Sequence, residues 1–582
     1  MKQLSPCIAC LLGTLPYLVP WATAQVLITP PTNLSEYASK PVANNFVSLS
    51  IAIHFFQDYT RTGSDGELPN IFSRNLLSSL KESTSFAPEI RIGGTSADRT
   101  TYVPSQNTTI SQVSGANGIP LNVTLNQRWF QQCFDEANFP SGIKFIFDLP
   151  LMRNDSLAIN NTIQGAQWAL EAIGGDRLEA FEIGNEESYK IFIVGLCGHP
   201  VARKYVRQGV VPATWTVVDY AARWKTFNSA VVQGALIPFG LDLTRKWFQG
   251  LAFSGLGANL AWTTETAFNA DVNDNHTLKS ISLHNYPAGS APWVNLGNTF
   301  MNHTAIVANL SQVKDDIAFL GSSPSTEKIV FNLGETNIDF TNLNMDQFEG
   351  VLGSALWTID YILYGASLNI NRIYLHQGTT FGYAAWQPVA TDNSQPKVRS
   401  PWYGLKFAAE AIGSHQGPIQ IAPLDIIVSN NISAPLGKTT SDPISTNTQD
   451  VPAQIVTSKK ISAYAVYESS LLARIVLINF NEWNGTTPYP RPSAVFQIDL
   501  PLKTGQLSSS HPVNTRTLTA PNGASADNNL TFGGIMWNYT TQGLPQRVES
   551  VPGTVQVQRS PRDGSITVKV GASEAMLINL GS

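Results

Sequence analysis

The sequence is poor in charge, and this excludes several classes of partner. Only 14% of its 582 residues are Asp, Glu, Lys or Arg, and the net charge is -5. Nucleic-acid binding depends on clustered Lys and Arg that meet phosphates. The composition therefore argues against a nucleic-acid partner and favours a neutral or weakly charged ligand.

Histidine is also scarce, with eight residues in the chain. Neither His-Glu-x-x-His nor Gly-x-Ser-x-Gly occurs, so zinc-protease and serine-esterase functions have no support. We expect no catalytic metal and no cofactor.

Long hydrophobic runs are absent after the N-terminus. There, Lys2 precedes an apolar stretch that ends at Ala22-Thr23-Ala24, the small-residue pattern of a signal-peptide cleavage site. A membrane anchor needs about 20 apolar residues, and Pro16 and Pro20 interrupt this run. We expect residues 1–24 to be cleaved and the mature chain to be secreted to the extracellular space, free of the membrane.

Cysteine is equally sparse. Two of the four cysteines lie in the predicted signal peptide, which leaves Cys133 and Cys197. An even pair in a secreted chain favours a disulfide, and two separate buried thiols are the alternative.

Asn-X-Ser/Thr sequons recur along the mature chain. Behind a signal peptide they indicate N-linked glycans on loops that face solvent. They begin at Asn33, Asn107, Asn122, Asn154, Asn160, Asn275, Asn302, Asn309, Asn431, Asn484, Asn529 and Asn538.

Short apolar runs alternate with helical patterns over the first two thirds of the chain. Their hydrophobicity is continuous, as in parallel strands buried on both faces. They cover 46–53, 90–92, 144–149, 178–183, 278–283, 328–333 and 372–375, with a fifth strand near 231–237 or 247–253. Strand followed by helix, repeated about eight times, predicts an α/β fold of the (β/α)₈ TIM-barrel type.

The pattern changes near residue 420 to short strands of period two. They cover 461–467, 472–478, 494–500, 555–558, 566–570 and 575–580, and Asp563-Gly564 between the fourth and the fifth is a hairpin signal. We expect a C-terminal antiparallel β-sandwich over 416–582, a barrel over 41–415, and an N-terminal segment, 25–40, that joins the sandwich. The region 429–458, rich in Ser, Thr, Asn and Pro, is expected to be an exposed loop.

Two glutamates follow predicted strands at the barrel face that carries active sites. Glu186 follows the fourth strand and Glu335 follows the seventh. These strands face each other across a barrel, so both side chains can approach one bond. One protonated and one ionised carboxyl is the pair that retaining glycoside cleavage requires. We predict that Glu186 is the acid/base and Glu335 the nucleophile.

The motifs around the two glutamates resemble a known family. They are Arg91-Ile92-Gly93-Gly94-Thr95, Asn185-Glu186, His284-Asn285-Tyr286, Gly334-Glu335-Thr336-Asn337 and His376-Gln377-Gly378. In this order they are similar to those of glycoside hydrolase family 79, which includes β-glucuronidases and heparanase. The resemblance covers nearly all of the mature chain and fits a fungal-type secreted member.

This resemblance implies roles for the neighbours of the two glutamates. Asn185 is expected to bond the sugar 2-hydroxyl, and Thr95 to touch sugar hydroxyls. Tyr286 and Arg91 are expected to keep Glu335 ionised, although Arg91 could form a purely structural ion pair. His284 could contact substrate or be structural.

The family's glucuronidases must hold a carboxylate at sugar C6. Tyr383 aligns with a tyrosine that does this in heparanase, whereas the heparanase glycines after the nucleophile are replaced here by 336–342. Gly378, Thr380 and Tyr383 of the strand-eight loop are our candidates, with the Thr379 hydroxyl as a further donor. A carbohydrate with a terminal uronic acid is the expected partner, with or without a 4-O-methyl group.

Two alternatives stay open at this point. One is a related retaining glycosidase that acts on arabinofuranosides or xylosides. The other is a catalytically silent, carbohydrate-binding wall glycoprotein, against which the retained glutamates and their neighbours count.

Overall fold

The computed structural model describes residues 25–581 except 64–65, 116–118, 189–209, 213, 257–260, 290, 341–344, 415–416, 430–457, 488 and 501–511. The predicted signal peptide, the glycosylation sequon at Asn431, Cys197 and most of the predicted loop 429–458 lie outside this range. Among the helices that are described, none is both long and apolar enough to cross a membrane.

Eight parallel strands close into a barrel, which confirms the predicted fold class. Their side chains are buried almost throughout, because helices cover the outside and side chains fill the inside. The strands are Val47–Ala52 (β1), Glu89–Gly93 (β2), Lys144–Leu149 (β3), Leu178–Ile183 (β4), Phe248–Ser254 (β5), Leu278–Asn285 (β6), Val330–Thr336 (β7) and Arg372–Gln377 (β8).

The fifth strand corresponds to the second of its two predicted positions. The first position, 231–237, continues a helix into the one-turn π-helix Val232–Leu236 instead. Its apolar residues suit either structure, and only the barrel packing decides between them.

Helices connect the strands around the barrel. Several begin at side-chain caps; Asn70 accepts from Ser73 N, and Thr216 forms a reciprocal capping box with Asp219. The main helices are Ile71–Thr84, Gln127–Cys133, Ala158–Ile173, Val217–Val231, Thr264–Asn269, His303–Leu310, Lys314–Leu320, Leu352–Ser367 and Ser400–Ile412.

The C-terminal region forms two stacked sheets. Four strands make the smaller sheet: Gln25–Ile28, Ile427–Ser429, Ser493–Ile498 and Ile566–Gly571. The larger contains Ile419–Pro423, Ile461–Glu468, Leu471–Asn479, Val513–Thr519, Thr531–Phe532, Ile535–Trp537, Pro545–Arg547, Val555–Val557 and Glu574–Asn579. A buried apolar cluster between them includes Val26, Phe496 and Ile578.

Strand pairing in these sheets corrects one prediction. The turn at Asp563-Gly564 exists, since Gly564 N donates to Ser560 O at 2.9 Å. However, the flanking strands do not form a hairpin: Val555–Val557 pairs with Val513–Thr519, and Ile566–Gly571 pairs with Ser493–Ile498. The Asp-Gly signal fixes a turn but not the sheet to which each neighbouring strand belongs. Gln25–Ile28 also pairs in parallel with Ser493–Ile498, within otherwise antiparallel sheets of the described residues.

The barrel and the sandwich share one core through the helix Ser400–Ile412. Phe407 of this helix lies 4.8 Å, centroid to centroid, from Phe532 of the larger sheet, and Tyr403 packs against Trp537. The two units are therefore joined by buried apolar contacts.

The predicted disulfide is not shown by the structure. Cys133 ends the helix Gln127–Cys133 as a buried free thiol, and Cys197 lies outside the described residues. The pairing stays a prediction.

The shared core leads to a stability prediction. Phe407→Ala removes a fully buried ring, so the free energy of unfolding should fall by about 3–5 kcal/mol. Phe86→Ala is the matched control, because Phe86 is 54% exposed and should change stability little. Denaturant unfolding followed by tryptophan fluorescence measures both. Equal, small losses in the two variants would contradict a shared core.

Candidate active site

Glu186 stands on an unusual backbone at the end of β4. Glu186 has a φ of 62° and Gly184 a φ of 89°, both in the left-handed region. The backbone N–H of Glu186 donates to Ala252 O at 2.9 Å. Ala252 itself has a φ of 48°, where the pairing of β5 with β6 shifts register. Such irregular strand ends re-aim side chains, and here they direct Glu186 to the barrel mouth.

Glu335 reaches the same space from β7. In the parallel pairing of β6 with β7 it lies opposite His284, whose Nδ1 is 3.2 Å from Glu186 Oε1. One oxygen of each glutamate and one ring nitrogen of His284 all lie within 4.8 Å of one another. Both glutamates keep a little solvent contact, 12% for Glu186 and 8% for Glu335. The two carboxyl groups therefore face one reaction space.

Strong donors surround the Glu335 carboxylate. Arg91 Nη1 donates to Oε2 at 2.8 Å and the Tyr286 hydroxyl donates to Oε1 at 2.8 Å. His376 Nδ1 is 3.7 Å from Oε2. These residues fix the position of the carboxylate through both of its oxygens.

The same neighbours keep Glu335 ionised. Burial alone raises the pKa of Glu335, but His376, His284, Arg91 and the Tyr286 hydroxyl together hold that pKa far below its usual range. Because burial lowers the pKa of His376 to about 4, the ring of His376 is neutral above that pH. Arg91 is then the permanent cation beside Glu335.

Arg91 connects the residues of β2, β4 and β7. Its Nε donates to Glu182 Oε2 at 2.5 Å and its Nη2 to Asn185 Oδ1 at 2.9 Å. The backbone N–H of Asn185 donates to Asp98 Oδ2 at 3.1 Å. The amide of Asn185 is thereby held next to Glu186.

Thr95 lies at the rim of the site, half-buried in the loop after β2. A Cβ placed on the preceding Gly94 would be 3.6 Å from Glu335 Oε2 and 3.5 Å from the His376 ring. The loop backbone therefore passes close to Glu335, and its φ of 86° at Gly94 suits glycine.

The loop after β8 closes one side of the site. Tyr383 is buried and hydrogen-bonded with Tyr286, and their ring centroids are 6.3 Å apart. Gly378 is buried beneath Phe381, where a Cβ would approach the ring to 2.4 Å, and Thr380 is exposed. Tyr383 is therefore linked to Glu335 through Tyr286.

The prediction that the Thr379 hydroxyl of this loop is a donor to the substrate is wrong. Thr379 is buried, and its hydroxyl donates to Asp58 Oδ2 at 2.5 Å, so it is engaged within the protein. Burial raises the pKa of Asp58 to about 6. Sequence alone could not pair Asp58 with a loop more than three hundred residues away.

Asn337 supports the loop and was not predicted to have a role. Its Nδ2 donates to His376 O at 3.0 Å and to Tyr383 O at 3.4 Å. It belongs to the motif Gly334-Glu335-Thr336-Asn337. A polar side chain directly after a catalytic strand is the signal that could have found it.

Two ionisable residues inside the barrel strands support the site, and Asp148 was not predicted. Asp148 in β3 and Glu182 in β4 are fully buried and lie beside Arg91. An acidic residue within a continuous apolar strand needs a partner, because an unpaired buried charge is costly. That rule would have pointed to both.

The site also has the geometry for a cation. Glu186, His284 and Glu335 each offer a ligand atom to a common point. However, the Arg91 guanidinium already neutralises Glu335, and two cations in one buried space repel each other. The donor set fits acid–base chemistry better than a metal.

The chain is similar to known proteins along nearly its whole length. Residues 463–577 match the model of the glycosyl hydrolase family 79 C-terminal beta domain. A β-glucuronidase of Aspergillus niger is 30% identical over 563 residues, covering 94% of this chain and 93% of that protein. A β-glucuronidase of Neurospora crassa is 29% identical over 555 residues, covering 90% of each.

Solved structures share the fold. A 4-O-α-L-rhamnosyl-β-D-glucuronidase of Fusarium oxysporum aligns with a TM-score of 0.70 at 21% identity, over 95% of this chain and all of that one. A family 51 arabinofuranosidase of Xanthomonas axonopodis aligns with a TM-score of 0.57 at 13% identity, over 96% of this chain and 100% of that one. At these identities the likeness concerns the fold.

The contacts of Glu335 predict the effect of Tyr286→Phe. The substitution removes one hydrogen bond to a charged group, worth about 1.5–3 kcal/mol. Hydrolysis of an aryl glycoside should slow by roughly 10–100-fold, because Glu335 loses one of the contacts that hold it ionised and in position. Since the Tyr286 hydroxyl lowers the pKa of Glu335, its loss raises that pKa and weakens activity most at acidic pH.

Tyr364→Phe is the matched control. Tyr364 is a buried tyrosine whose hydroxyl bonds with Ser311 on the barrel exterior. This variant should keep the rate and the pH profile of the unmodified enzyme. Equal effects of the two substitutions would show that the Tyr286 contact has no special role.

Proposed function

Since the chain belongs to glycosyl hydrolase family 79, we propose that it is a retaining β-glucuronidase that uses Glu335 as nucleophile and Glu186 as acid/base. The observation that carries this proposal is the approach of the two carboxyl groups to within 4.8 Å. Retaining glycosidases keep them about 5–5.5 Å apart, whereas inverting enzymes need about 6.5–9.5 Å to admit a water. The observed spacing fits direct attack by a carboxylate.

In the first step, Glu335 attacks the anomeric carbon while Glu186 donates a proton to the departing oxygen. The glycosidic C–O bond breaks, and a glycosyl ester forms on Glu335. Arg91 and Tyr286 favour the ionised form of Glu335 in the free enzyme. In the second step, Glu186 takes a proton from water, which attacks the anomeric carbon and releases the sugar and Glu335.

Asn185 is suited to the sugar 2-hydroxyl. Its Oδ1 is held by Arg91, so its amide group has a fixed orientation beside Glu186. A hydrogen bond to the 2-hydroxyl strengthens as the oxocarbenium-like transition state forms. We assign Thr95, at the rim of the site, to the remaining hydroxyls.

The strand-eight loop is our candidate for recognition of the uronate. Burying an ionised carboxylate is costly unless donors surround it. The backbone amides of 378–383 are donors within one short stretch beside Tyr286 and Glu335, and the Tyr383 hydroxyl joins them when it exchanges its bond with Tyr286 for one with the carboxylate. Thr380 is exposed and adds a hydroxyl at the rim.

We further propose that the protein is secreted and N-glycosylated. The signal-like residues 1–24 support secretion. Several sequon asparagines are exposed: Asn33, Asn107, Asn122, Asn154, Asn160, Asn275 and Asn529. Asn309, by contrast, is half-buried and hydrogen-bonded with Asn285, so it is a poor acceptor.

Substrate preference tests the uronic-acid assignment. We expect hydrolysis of p-nitrophenyl β-glucuronide to exceed that of the β-glucoside by at least about tenfold in kcat/KM, the equivalent of 1.4 kcal/mol. Tyr383→Phe should reduce kcat/KM for the glucuronide more than kcat/KM for the glucoside, because only the glucuronide presents the C6 carboxylate. The preference for the glucuronide should therefore fall. Initial rates on both substrates measure the ratio directly.

Adding the p-nitrophenyl α-arabinofuranoside and β-xyloside to these two substrates separates the alternative functions. A preference for the α-arabinofuranoside or the β-xyloside would favour a related retaining glycosidase. Absence of turnover on every substrate would favour a carbohydrate-binding glycoprotein. Equal cleavage of glucoside and glucuronide removes the uronic-acid assignment and leaves the two-glutamate mechanism standing.

A further inference from the structure

Asp148 differs from the other carboxyl groups around Arg91. Three carboxyl groups lie within 4.0 Å of this one guanidinium: those of Asp148, Glu182 and Glu335. Glu182 accepts from Arg91 and from Gln249 Nε2, and Glu335 accepts from Arg91 and Tyr286. Neither oxygen of Asp148 has a hydrogen-bond partner among the described residues, although the side chain is fully buried.

The distance between Asp148 and Arg91 explains why Asp148 lacks a hydrogen bond. Arg91 Nη2 is 3.5 Å from Asp148 Oδ2, which is too long for a strong charge-assisted hydrogen bond, whereas the same nitrogen donates to Asn185 at 2.9 Å. Packing around the pair is close: a Cβ on Gly93 would approach Asp148 Oδ2 to 2.9 Å and Arg91 Cζ to 2.8 Å.

One cation cannot neutralise three carboxylates in a buried space. An ionised carboxylate without hydrogen bonds is costly to bury, and such a group takes up a proton instead. We propose that Asp148 carries a buried proton and acts as a neutral positioning residue that leaves the charge of Arg91 to Glu182 and Glu335. This inference rests on the proposed function only in taking Glu335 as the nucleophile.

The electrostatic surroundings support the same assignment. Burial and then the neighbouring Glu182 raise the pKa of Asp148 well above its usual range, although Arg91 opposes the shift. The titratable groups that face Asp148 are Arg91, Glu182, Asp98, Glu187 and Tyr102. Among these, Arg91 is the single cation.

A neutral Asp148 matters for both catalytic glutamates. If Asp148 were ionised, it would attract Arg91 Nη2 away from Asn185 and weaken the contact of Nη1 with Glu335. A neutral Asp148 leaves Nη2 with Asn185, the residue that precedes Glu186. It thereby keeps the Arg91 contacts to both sides of the reaction space.

Infrared spectroscopy tests the proton directly. The difference spectrum of the full-length enzyme and its Asp148→Asn variant at neutral pH should show loss of the carbonyl stretch of a protonated carboxyl. Asp360→Asn is the matched control, because Asp360 is also fully buried but accepts hydrogen bonds from Tyr464 and His303. Its difference spectrum should contain no such loss. If Asp148→Asn, like the control, causes no loss of the carbonyl stretch of a protonated carboxyl, the proposal is overturned.

Thermal stability provides a second readout that needs no substrate. A raised pKa in the folded state means that the folded protein holds a proton that the unfolded chain releases above about pH 4. The stabilisation is present at low pH and is lost as the pH rises toward the folded pKa of Asp148. The Tm of Asp148→Asn should therefore rise relative to the unmodified enzyme between about pH 4 and pH 7. A constant difference, or one that moves the other way, contradicts the proton.

Rescue by the conservative variant tests the positioning role. Asp148→Leu should lower kcat/KM by at least about tenfold, because the buried Arg91 guanidinium loses the polar group that lies 3.5 Å from its Nη2. Asp148→Asn, which resembles the neutral acid, should recover most of that loss. Equal losses in the two variants overturn the role. The infrared and Tm results remain valid if glucuronidase activity fails, so the two proposals can fail separately.

Discussion

The contacts of one buried guanidinium hold the reaction space together. Arg91 leaves β2 and reaches Glu182 in β4, Asn185 after β4 and Glu335 in β7. It is fully buried, so each contact acts in a low dielectric, where charge pairs are strong and unpaired charges are costly. Removing one partner of such a pair costs about 3–5 kcal/mol. Glu335 and Asn185, the neighbour of Glu186, are thus positioned by one side chain.

The environments of the two glutamates differ in the way that their proposed roles require. Glu335 has a permanent cation at 2.8 Å and a tyrosine donor, both of which favour a carboxylate. Glu186 stands on a left-handed backbone, contacts the His284 ring and is slightly more exposed. Two carboxyl groups in one space with unlike surroundings can hold unlike protonation states, which is the requirement of double displacement.

Much of the fold could be predicted from the sequence, because buried parallel strands leave continuous apolar runs and sandwich strands leave alternating ones. The order of strands and the motifs at their ends were enough to bring Glu186 and Glu335 together. The pairing of Val513–Thr519 and Val555–Val557 could not be predicted, since strands distant in sequence meet through packing alone.

The individual side-chain contacts of the site also could not be predicted from the sequence. The bond between Thr379 and Asp58 and the support of Tyr383 by Asn337 join residues that are distant in sequence. Asp148 and Glu182 were visible as acids in apolar strands, but their sharing of Arg91 depends on barrel closure. Protonation follows from such contacts and has no local signature in sequence.

The most direct test of the account is to trap the covalent intermediate. A 2-deoxy-2-fluoro-β-glucuronide with a good leaving group slows the second step, so the glycosyl ester accumulates. Peptide mass spectrometry should then locate the sugar on Glu335, and Glu335→Gln should abolish labelling. A label on another residue, or first-formed product of inverted configuration without any label, would contradict the retaining mechanism.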